Sequence, residues 1–322
     1  MAVTGPWTTV IVPTVGRSPW LADCLESLRR SGGDSMEIFL VAQGMAALKA
    51  SDEVAKLADR TFYLYDSIGF AAANNHAFEA ASGEFVALVN DDVVVHPDWY
   101  PLLIEALDQN KDVAAVQGVN LQMTNNDIID GCGIVWNNFW QAIQLGHGSP
   151  REAAPKDTTE VFGVSATAAL YRRKHLIQVD LAPAGSAPRI FDEKFYSYYE
   201  DVDLACRLQG IGSKALVVPA AIAEHAGSTS GIDISLGTHR LIYCNRYLAL
   251  ARFLGNRFFS QLPRIWRRDF IDTLQAIRRT DASRAAAILA GCLRAAIYLP
   301  GFLHSGRPAL SIDEIRSFMI DR

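Results

Sequence analysis

The chain has 322 residues, of which half are apolar and a fifth are charged, a balance typical of a globular protein with a sizeable core. Its first 239 residues carry 29 acidic and 16 basic side chains, and this acidic excess argues against nucleic acid as the main partner. Residues 240–322 reverse the balance with 14 arginines, no lysine and 6 acids, which indicates that this part meets an anionic surface.

The first third of the chain alternates strand and helix patterns. Such alternation predicts a parallel, doubly wound sheet flanked by helices. The predicted strands are residues 8–12, 37–41, 61–65 and 85–90. The predicted helices are residues 19–30, 54–58 and a small-residue helix that opens after Gly69 and stops at Gly83.

Residues 85–93 are the most informative stretch of this region. Five apolar residues predict a strand buried on both faces, and it stops at Asn90, Asp91 and Asp92. The carboxyl ends of parallel strands form the edge where open α/β folds bind ligands. Adjacent carboxylates repel each other unless a cation lies nearby, so a divalent metal holding a phosphorylated substrate is one interpretation. A polar turn after a strand is the other.

The middle of the chain is less regular. A helix is predicted at residues 97–107 and strands at 113–119 and 161–171. Residues 120–155 are predicted to form a long functional loop or an irregular hairpin. Small residues at the centre of the 161–171 strand either leave room for a ligand or allow close packing on a helix.

An aromatic run at residues 195–199 leads into Glu200, Asp201 and Asp203, which open a helix predicted to run to Gln209. Asp203 and Arg207 are four residues apart and can pair on one helix face. Acids in a first turn favour the helix dipole, so capping is the alternative role of Glu200 and Asp201. A late strand is predicted at residues 214–218.

Residues 236–322 are predicted to be helical, most clearly at 241–253, 265–277 and 283–298. Arginines stand beside aromatic residues here, as in residues 257–259 and 264–268. This pattern suits a membrane interface with anionic head groups, or equally a helical cap whose arginines face water or the acidic domain. The helical tail also offers a surface for subunit contact.

Five scattered cysteines without a C-x-x-C pair argue against a zinc site or a disulfide framework and fit a reducing compartment. The N-terminus lacks the pattern of a signal peptide. The longest apolar tract, residues 285–303, is interrupted by Arg294 and Pro300, so we expect a poor membrane span. The predicted location is the cytoplasm.

The order of these features resembles the family-2 glycosyltransferases, inverting enzymes of the GT-A fold, and most of all their bacterial rhamnosyltransferase and galactofuranosyltransferase-like branch. The resemblance covers residues 8 to about 230. It rests on five short motifs in the family's order: residues 12–14, Gly69-Phe70 with Asn74-Asn75, residues 90–92, residues 199–210, and Pro219 with His225. It implies a mostly parallel α/β sheet in a catalytic domain at 1–235, followed by a C-terminal helical region at 236–322.

The resemblance also implies roles for individual residues. Asp92 and His225 match the metal ligands for Mg²⁺ or Mn²⁺, and Asp201 matches the general base. The family usually has an Asp after the second strand that contacts the nucleotide. Here Gln43 or Asp66 stands in for it, which leaves the nucleotide open. The remaining residues expected to contact the donor are Pro13, Thr14, Gly69, Asn74, Asn75, Asn90 and Asp91.

The expected function is metal-dependent, inverting transfer of rhamnose or a similar sugar from a nucleoside-diphosphate sugar to a cell-surface glycan or lipid-linked acceptor. The enzyme would be peripheral on the inner face of the cell membrane. A non-catalytic glycan- or nucleotide-binding scaffold is an alternative, and a sugar nucleotidyltransferase ranks below it. About half of five aromatic residues are expected to stack on sugars, the others to pack: Trp136, Trp140, Tyr196, Tyr198 and Tyr199.

Overall fold

The computed structural model describes residues 8–44, 52–227, 235–303 and 311–320. The predicted domain boundary at residue 235 adjoins residues 228–234, which lie outside the described residues, as do residues 1–7 and the last two residues of the predicted helical region.

Thirteen strands are found within the described residues. Their bounds are β1 Thr8–Thr14, β2 Met36–Gln43, β3 Arg60–Leu64, β4 Phe85–Val89, β5 Val93–Val95, β6 Val113–Gln122, β7 Asn125–Gly131, β8 Ile134–Asn137, β9 Ala142–Gln144, β10 Thr159–Val161, β11 Ala168–Arg172, β12 Lys214–His225 and β13 Met319–Ile320.

The α-helices found in the same ranges number ten. Their bounds are α1 Leu21–Gly32, α2 Asp52–Ala55, α3 Phe70–Phe78, α4 Trp99–Gln109, α5 Arg173–Gln178, α6 Glu200–Gln209, α7 Leu236–Leu254, α8 Phe258–Arg278, α9 Ala282–Leu303 and α10 Ile312–Arg316.

The large sheet has the strand order β10-β12-β6-β11-β4-β1-β2-β3. Strands β4, β1, β2 and β3 are parallel to one another, and β12 is parallel to β6. The strand β11 runs antiparallel between β4 and β6. The predicted mostly parallel α/β sheet with a C-terminal helical region is therefore confirmed, although β11 is reversed. A smaller sheet joins β13, β8 and β9.

At residues 120–155 the structure agrees with the irregular-hairpin alternative, since β7 pairs antiparallel with β6 and β9 with β8. Two other predictions in the middle of the chain need correction. The predicted 161–171 strand is two strands, β10 and β11, joined by the small-residue stretch at 162–167. The late strand does not stop at residue 218: β12 continues to His225, with a register shift between Val217 and Ile222 where Pro219 interrupts the ladder with β6.

Buried apolar residues cover both faces of the sheet. Helices α1 and α4 pack on one face through Leu25, Leu28 and Leu103, while α3 and α6 pack on the other through Phe78 and Leu204. A third cluster joins α7 and α8 to the smaller sheet. The four parallel strands thus end at one edge, between layers of helices that hold them there.

Helix α7 is joined to α6 by a buried ion network. Asp203 of α6 is fully buried, and its carboxylate accepts hydrogen bonds from Arg252 Nη1 at 2.6 Å and from Arg207 Nε at 2.9 Å. Arg252 also donates to Asp192 at 2.6 Å, and Arg207 donates to the carbonyls of Val179 and Ile190. One buried carboxylate therefore connects the C-terminal helices to the acidic part of the chain.

Helix α9 has 22 residues and is, among the described residues, the one helix long and apolar enough to cross a membrane by length and composition. Arg294 and Pro300, which interrupt the apolar tract in the sequence, both lie within this helix. One side of α9 packs closely on α7, since a Cβ added to Gly291 would lie 2.7 Å from the carbonyl oxygen of Arg240. The helix is thus bound to the body of the protein along that side.

Replacement of Arg252 by Ala is expected to lower the free energy of unfolding by about 3 kcal/mol, because it removes one partner of a buried ion pair. Chemical denaturation measures the change. The control is Arg316→Ala, which breaks an exposed pair with Asp313 and should cost less than about 1 kcal/mol. Equal, small effects of the two substitutions would contradict the structural role assigned to Arg252.

Candidate functional site

The site begins where β4 ends. The backbone N–H of Asn90 donates to the carbonyl of Thr167 at 2.9 Å, and the Asn90 carbonyl accepts from Val93 N–H at 3.3 Å. These bonds close a tight turn at the carboxyl edge of the sheet. The turn sends the side chains of Asp91 and Asp92 to different partners, so the two adjacent carboxylates do not share one contact.

Asp91 faces β1. Its carboxylate accepts a hydrogen bond from the Thr14 hydroxyl, and its backbone carbonyl accepts one from Ser18 Oγ at 2.9 Å. Burial and the charge of Asp92 raise the pKa of Asp91 to about 6, although the bond from Thr14 opposes the shift. Thr14 and Asp91, predicted together as donor-binding residues, are thus in direct contact.

Asp92 faces the end of β12. Its Oδ1 lies 3.2 Å from Nε2 of His225, and its Oδ2 accepts from Gly227 N–H at 3.0 Å. The other imidazole nitrogen of His225, Nδ1, lies 2.8 Å from Oδ2 of Asp130 on β7. The two residues predicted as metal ligands are therefore brought together, and a second carboxylate fixes the orientation of the ring.

Burial alone would lower the pKa of His225, but the hydrogen bonds and charges of Asp130 and Asp92 raise it to about 10. The bond and charge of His225 in turn lower the pKa of Asp92 against the effect of burial. At neutral pH, in the absence of a metal, His225 is thus an imidazolium between two carboxylates. A cation could replace its Nε2 proton, because nitrogen and carboxylate oxygen already converge there.

The chemistry of these side chains fits a divalent metal in an open site. Within the described residues, no group of three or more His, Cys, Asp or Glu side chains encloses a cation position. Asp92 and His225 would thus supply two ligands, and other ligands would have to come from a donor diphosphate and water. Mg²⁺ usually keeps several waters and shares its coordination with substrate phosphates in this way.

Asp201 lies at the start of α6. Its Oδ1 accepts from Val202 N–H at 2.8 Å, and its Oδ2 accepts from Ala166 N–H at 3.4 Å. Burial raises the pKa of Asp201, while those two bonds and one from the Ser165 side chain oppose the shift. The result is a fixed carboxylate with a pKa above its ordinary range, which suits a general base.

Glu200, beside Asp201, is also buried, and burial together with the charge of Asp201 raises its pKa well above the ordinary value. Its Oε2 has no hydrogen-bond partner among the described atoms. Because two adjacent charges would repel each other, ionisation of both carboxyls of this pair is disfavoured.

A cleft of about 520 Å³ lies in front of Asp201. Asn90, Asp201 and Tyr198 line it together with Ser165, Ala166 and Thr167. Next to these small residues, Gly163 lies close to Ala205: a Cβ added to Gly163 would be 2.3 Å from the Cβ of Ala205. The small-residue stretch therefore does both things predicted for it: it packs on α6 at Gly163 and leaves open space at residues 165–167.

A strained aromatic loop precedes α6. Tyr196, Tyr198 and Tyr199 have φ values of 62°, 69° and 70°, a backbone region that non-glycine residues rarely adopt. The amide of Asn245 on α7 donates to the carbonyls of Phe195, Ser197 and Tyr198 at 2.7 to 3.0 Å. A residue of the C-terminal region thus holds the loop that leads into Asp201.

The remaining donor-binding candidates have different surroundings. Gln43 Oε1 accepts hydrogen bonds from the N–H groups of Ile68 and Gly69, so its side chain holds the backbone directly before α3. Gly69 has a φ of 90° and lies against Tyr196, where an added Cβ would be 2.5 Å from the ring. Asp66 is exposed, and Pro13 is buried in β1.

Asn74 and Asn75 are both buried in α3. The side chain of Asn75 exchanges hydrogen bonds with the backbone of Phe191 and donates to Glu193, which are structural contacts. Asn74 donates to the Phe70 carbonyl, while its Oδ1 has no partner among the described atoms. Asn75 and Gln43 therefore hold neighbouring segments of backbone in place, in addition to any contact with a donor.

Of the five aromatic residues, about half of which were expected to pack, two do so. Trp136 and Trp140 are fully buried and contact each other edge to face, and Trp136 also packs on Phe162 and Phe253. Neither ring can reach a sugar. Tyr196 and Tyr198 are exposed, and Tyr198 and Tyr199 line the cleft.

Sequence analysis missed two residues of the site, Asp130 and Asn245. Asp130 follows two isoleucines in a stretch interpreted as irregular, and Asn245 stands within a helix assigned to a peripheral region. Asn245 is 1% exposed, and a polar residue on the buried side of a predicted helix is the local signal that could have identified it.

Comparisons with known proteins identify the family of the chain. The family model described as "Glycosyl transferase family 2" matches residues 9–180. The putative glycosyltransferase EpsH of Bacillus subtilis is 29% identical over 111 residues, 34% of this chain and 32% of that protein. The uncharacterized glycosyltransferase YibD of Escherichia coli is 24% identical over 229 residues, 65% of each chain. The chain thus spans about a third of EpsH and two thirds of YibD.

Two solved structures share the fold at low sequence identity. The structure of GalNAc-T7 with UDP, GalNAc and Mn²⁺ has a TM-score of 0.59 at 13% identity and covers 95% of this chain and 59% of that one. The mannosyltransferase PcManGT from Pyrobaculum calidifontis, in complex with GDP-Man and Mn²⁺, has a TM-score of 0.54 at 16% identity and covers 92% of this chain and 88% of that one.

Replacement of Asp91 by Asn is expected to change stability in a pH-dependent way. Its pKa in the folded protein, about 6, lies above its ordinary value of 3.8, so ionisation of Asp91 costs stability as pH rises through this window. Relative to the native chain, the variant should gain about 2 kcal/mol between pH 4 and pH 7 in EDTA. Urea unfolding at both pH values measures this. An unchanged difference between the two proteins would contradict the raised pKa.

Replacement of Asp130 by Asn is expected to weaken Mn²⁺ binding by about tenfold to a hundredfold, because the carboxylate that orients the His225 ring is lost. Electron paramagnetic resonance of free Mn²⁺ measures the affinity without any need for turnover. The matched control is Asp127→Asn, an exposed acid on the same strand. Equal Mn²⁺ affinities of the two variants would show that Asp130 has no role in metal binding.

Proposed function

The chain belongs to glycosyl transferase family 2, and we propose that it transfers a sugar from a nucleoside-diphosphate donor to an acceptor hydroxyl with inversion at the anomeric carbon. The observation that carries this proposal is the pairing of Asp92 with His225 at the sheet edge where Asn90 opens into the cleft of Asp201. Because Asn90, two residues before Asp92, lines the cleft of Asp201, this position supports a diphosphate and an acceptor bound close to each other.

In this proposal Asp92 and Nε2 of His225 hold Mg²⁺ or Mn²⁺. The bound cation would act as a Lewis acid on the diphosphate and stabilise the charge of the leaving group. Asp130 keeps the His225 ring in position, and Gly227 N–H holds the second oxygen of Asp92. Both similar solved structures named above contain Mn²⁺, which supports a divalent metal without selecting between the two ions.

Asp201 takes the proton from the acceptor hydroxyl as the hydroxyl oxygen attacks the anomeric carbon. The new glycosidic C–O bond forms while the bond from that carbon to the phosphate oxygen breaks, and the nucleoside diphosphate leaves with the electron pair. Hydrogen bonds from Val202 and Ala166 keep the carboxylate in place, and its raised pKa makes it a better base than an ordinary aspartate.

The nucleotide would lie along the carboxyl ends of β1 and β2, near Thr14, Asp91 and the Gln43–Gly69 contact. Two observations support these assignments: the positions of the residues at the strand ends, and the close approach of the Gly69 backbone to Tyr196. Pro13, Asp66, Asn74 and Asn75 remain proposed donor contacts.

The finer identity of the reaction is proposed from the family branch that the motifs resemble. The sugar would be rhamnose or a similar hexose, and the acceptor a cell-surface glycan or a lipid-linked precursor at the cytoplasmic face of the cell membrane. Tyr196 and Tyr198, exposed beside the cleft, offer aromatic faces on which a sugar can stack.

Nucleoside diphosphate release from a panel of nucleotide sugars tests the proposal, first with Mg²⁺ or Mn²⁺ and then with EDTA. Asp201→Asn should lower turnover about a hundredfold or more while donor affinity stays unchanged, because only the base is lost. Asp92→Ala should weaken donor binding in the presence of metal. The exposed Asp157→Asn is the control for both.

Three outcomes are informative. Metal-dependent release of one nucleotide identifies the donor. Donor binding without release, with or without added acceptor glycans, would favour a non-catalytic scaffold. A folded protein that binds no nucleotide sugar would overturn the donor site altogether.

A further inference from the structure

Helix α9 presents a continuous apolar face to solvent. Its large side chains Leu289, Leu293 and Ile297 are 54%, 72% and 75% exposed and follow one another at intervals of four residues. Three exposed alanines, Ala286, Ala290 and Ala296, lie on the same side of the helix. We call these six residues the α9 face. A monomeric soluble protein rarely leaves such a face uncovered.

The α9 face is not a part of the core that has failed to pack. The opposite side of the helix is already buried against α7 through Ile288, Gly291 and Ala295. Because one side is fixed on the protein body, the exposed side has to find its partner outside the described chain.

Helix α8 adds a second apolar stripe. Phe259, Trp266, Phe270 and Ile277 are each more than half exposed, and their spacing of seven, four and seven residues places them on one line of the helix. Cys292 of α9 lies 3.7 Å from Asp269 of α8, so the two helices are in contact. Aromatic side chains of this kind are enriched where protein meets the lipid interface.

The exposed charges within α8 and α9 are all positive, and the half-buried Asp281 lies in the turn between the two helices. Asp269 and Asp272, the two acids of α8, are buried: Asp269 bonds Arg246 and Tyr247, and Asp272 bonds Tyr243 and Arg268. Helix α9 contains no acid. The exposed arginines on the two helices are Arg264, Arg267, Arg278 and Arg294, and the exposed Arg279 directly follows α8.

We propose that the α9 face and the α8 stripe lie in the interfacial layer of a bilayer that contains anionic phospholipids, with the arginines at the lipid phosphates. Apolar burial supplies one part of the binding and charge attraction the other. A second copy of the chain is the less suitable occupant, because a symmetric pair would place the same arginines opposite each other without acids between them.

This surface would hold the cleft of Asp201 near the membrane, where a lipid-linked acceptor is found. Membrane binding itself does not depend on the proposed reaction, because it can be measured without donor, metal or acceptor. Failure of the glycosyl transfer assay would therefore leave the membrane proposal standing, and the reverse also holds.

Co-sedimentation of the full chain with phosphatidylcholine vesicles, with and without phosphatidylglycerol, tests the proposal. We expect binding to the anionic vesicles that weakens with added salt. Leu293→Ser/Ile297→Ser should reduce it about tenfold or more, since two apolar side chains leave the interface. Arg264→Gln/Arg278→Gln should reduce binding to anionic vesicles only. The matched control is Ile211→Ser, an exposed isoleucine outside the two helices.

Circular dichroism confirms that each variant is folded, and sedimentation equilibrium gives its oligomeric state. Absence of vesicle binding by the folded native chain would overturn the proposal. So would binding that is unchanged in Leu293→Ser/Ile297→Ser. A native dimer that this double substitution converts to a monomer, with no effect on vesicle binding, would assign the face to a second copy instead.

Discussion

The burial of Asp203 is the constraint on which the rest of the site depends. A carboxylate with no exposed surface is tolerated only if cationic donors surround it, and Arg207 and Arg252 do so from two helices. Because Arg252 belongs to α7, the helix that carries Asp201 is fixed relative to the C-terminal region. Asn245, two turns earlier on α7, then holds the tyrosine loop that enters the same helix.

The electrostatic surroundings of Asp92 and Asp201 are opposite. Asp92 is kept ionised by His225 and by a backbone N–H, which suits the binding of a cation. Asp201 is buried beside another acid, and its pKa is raised, which suits the acceptance of a proton. The difference arises from the neighbours each residue receives, because the two side chains are chemically identical.

Sequence patterns were sufficient for features that depend on local order. The apolar run of β4 and the acids that end it, the glycine before α3 and the acidic start of α6 all lie where the patterns predicted them. Contacts between distant residues could not be predicted in this way. Asp130 meets His225 across 95 positions, and Trp136 is buried by Phe253 of a later helix. Nor does local pattern reveal that β11 runs antiparallel, since strand direction depends on the connections between elements.

The contact between α6 and α7 also bears on whether the part of the chain that matches the family model can fold without the C-terminal helices. Residues 9–180, which match the family model, include Asp92 but neither Asp201 nor His225, and they lack the arginine and the asparagine that hold the tyrosine loop. A fragment that ended before residue 236 would leave the Asp203 carboxylate with one of its two arginines and three loop carbonyls without their donor. We therefore expect residues 8–227 to need helix α7 in order to fold stably, since α7 supplies the missing arginine and the missing amide donor.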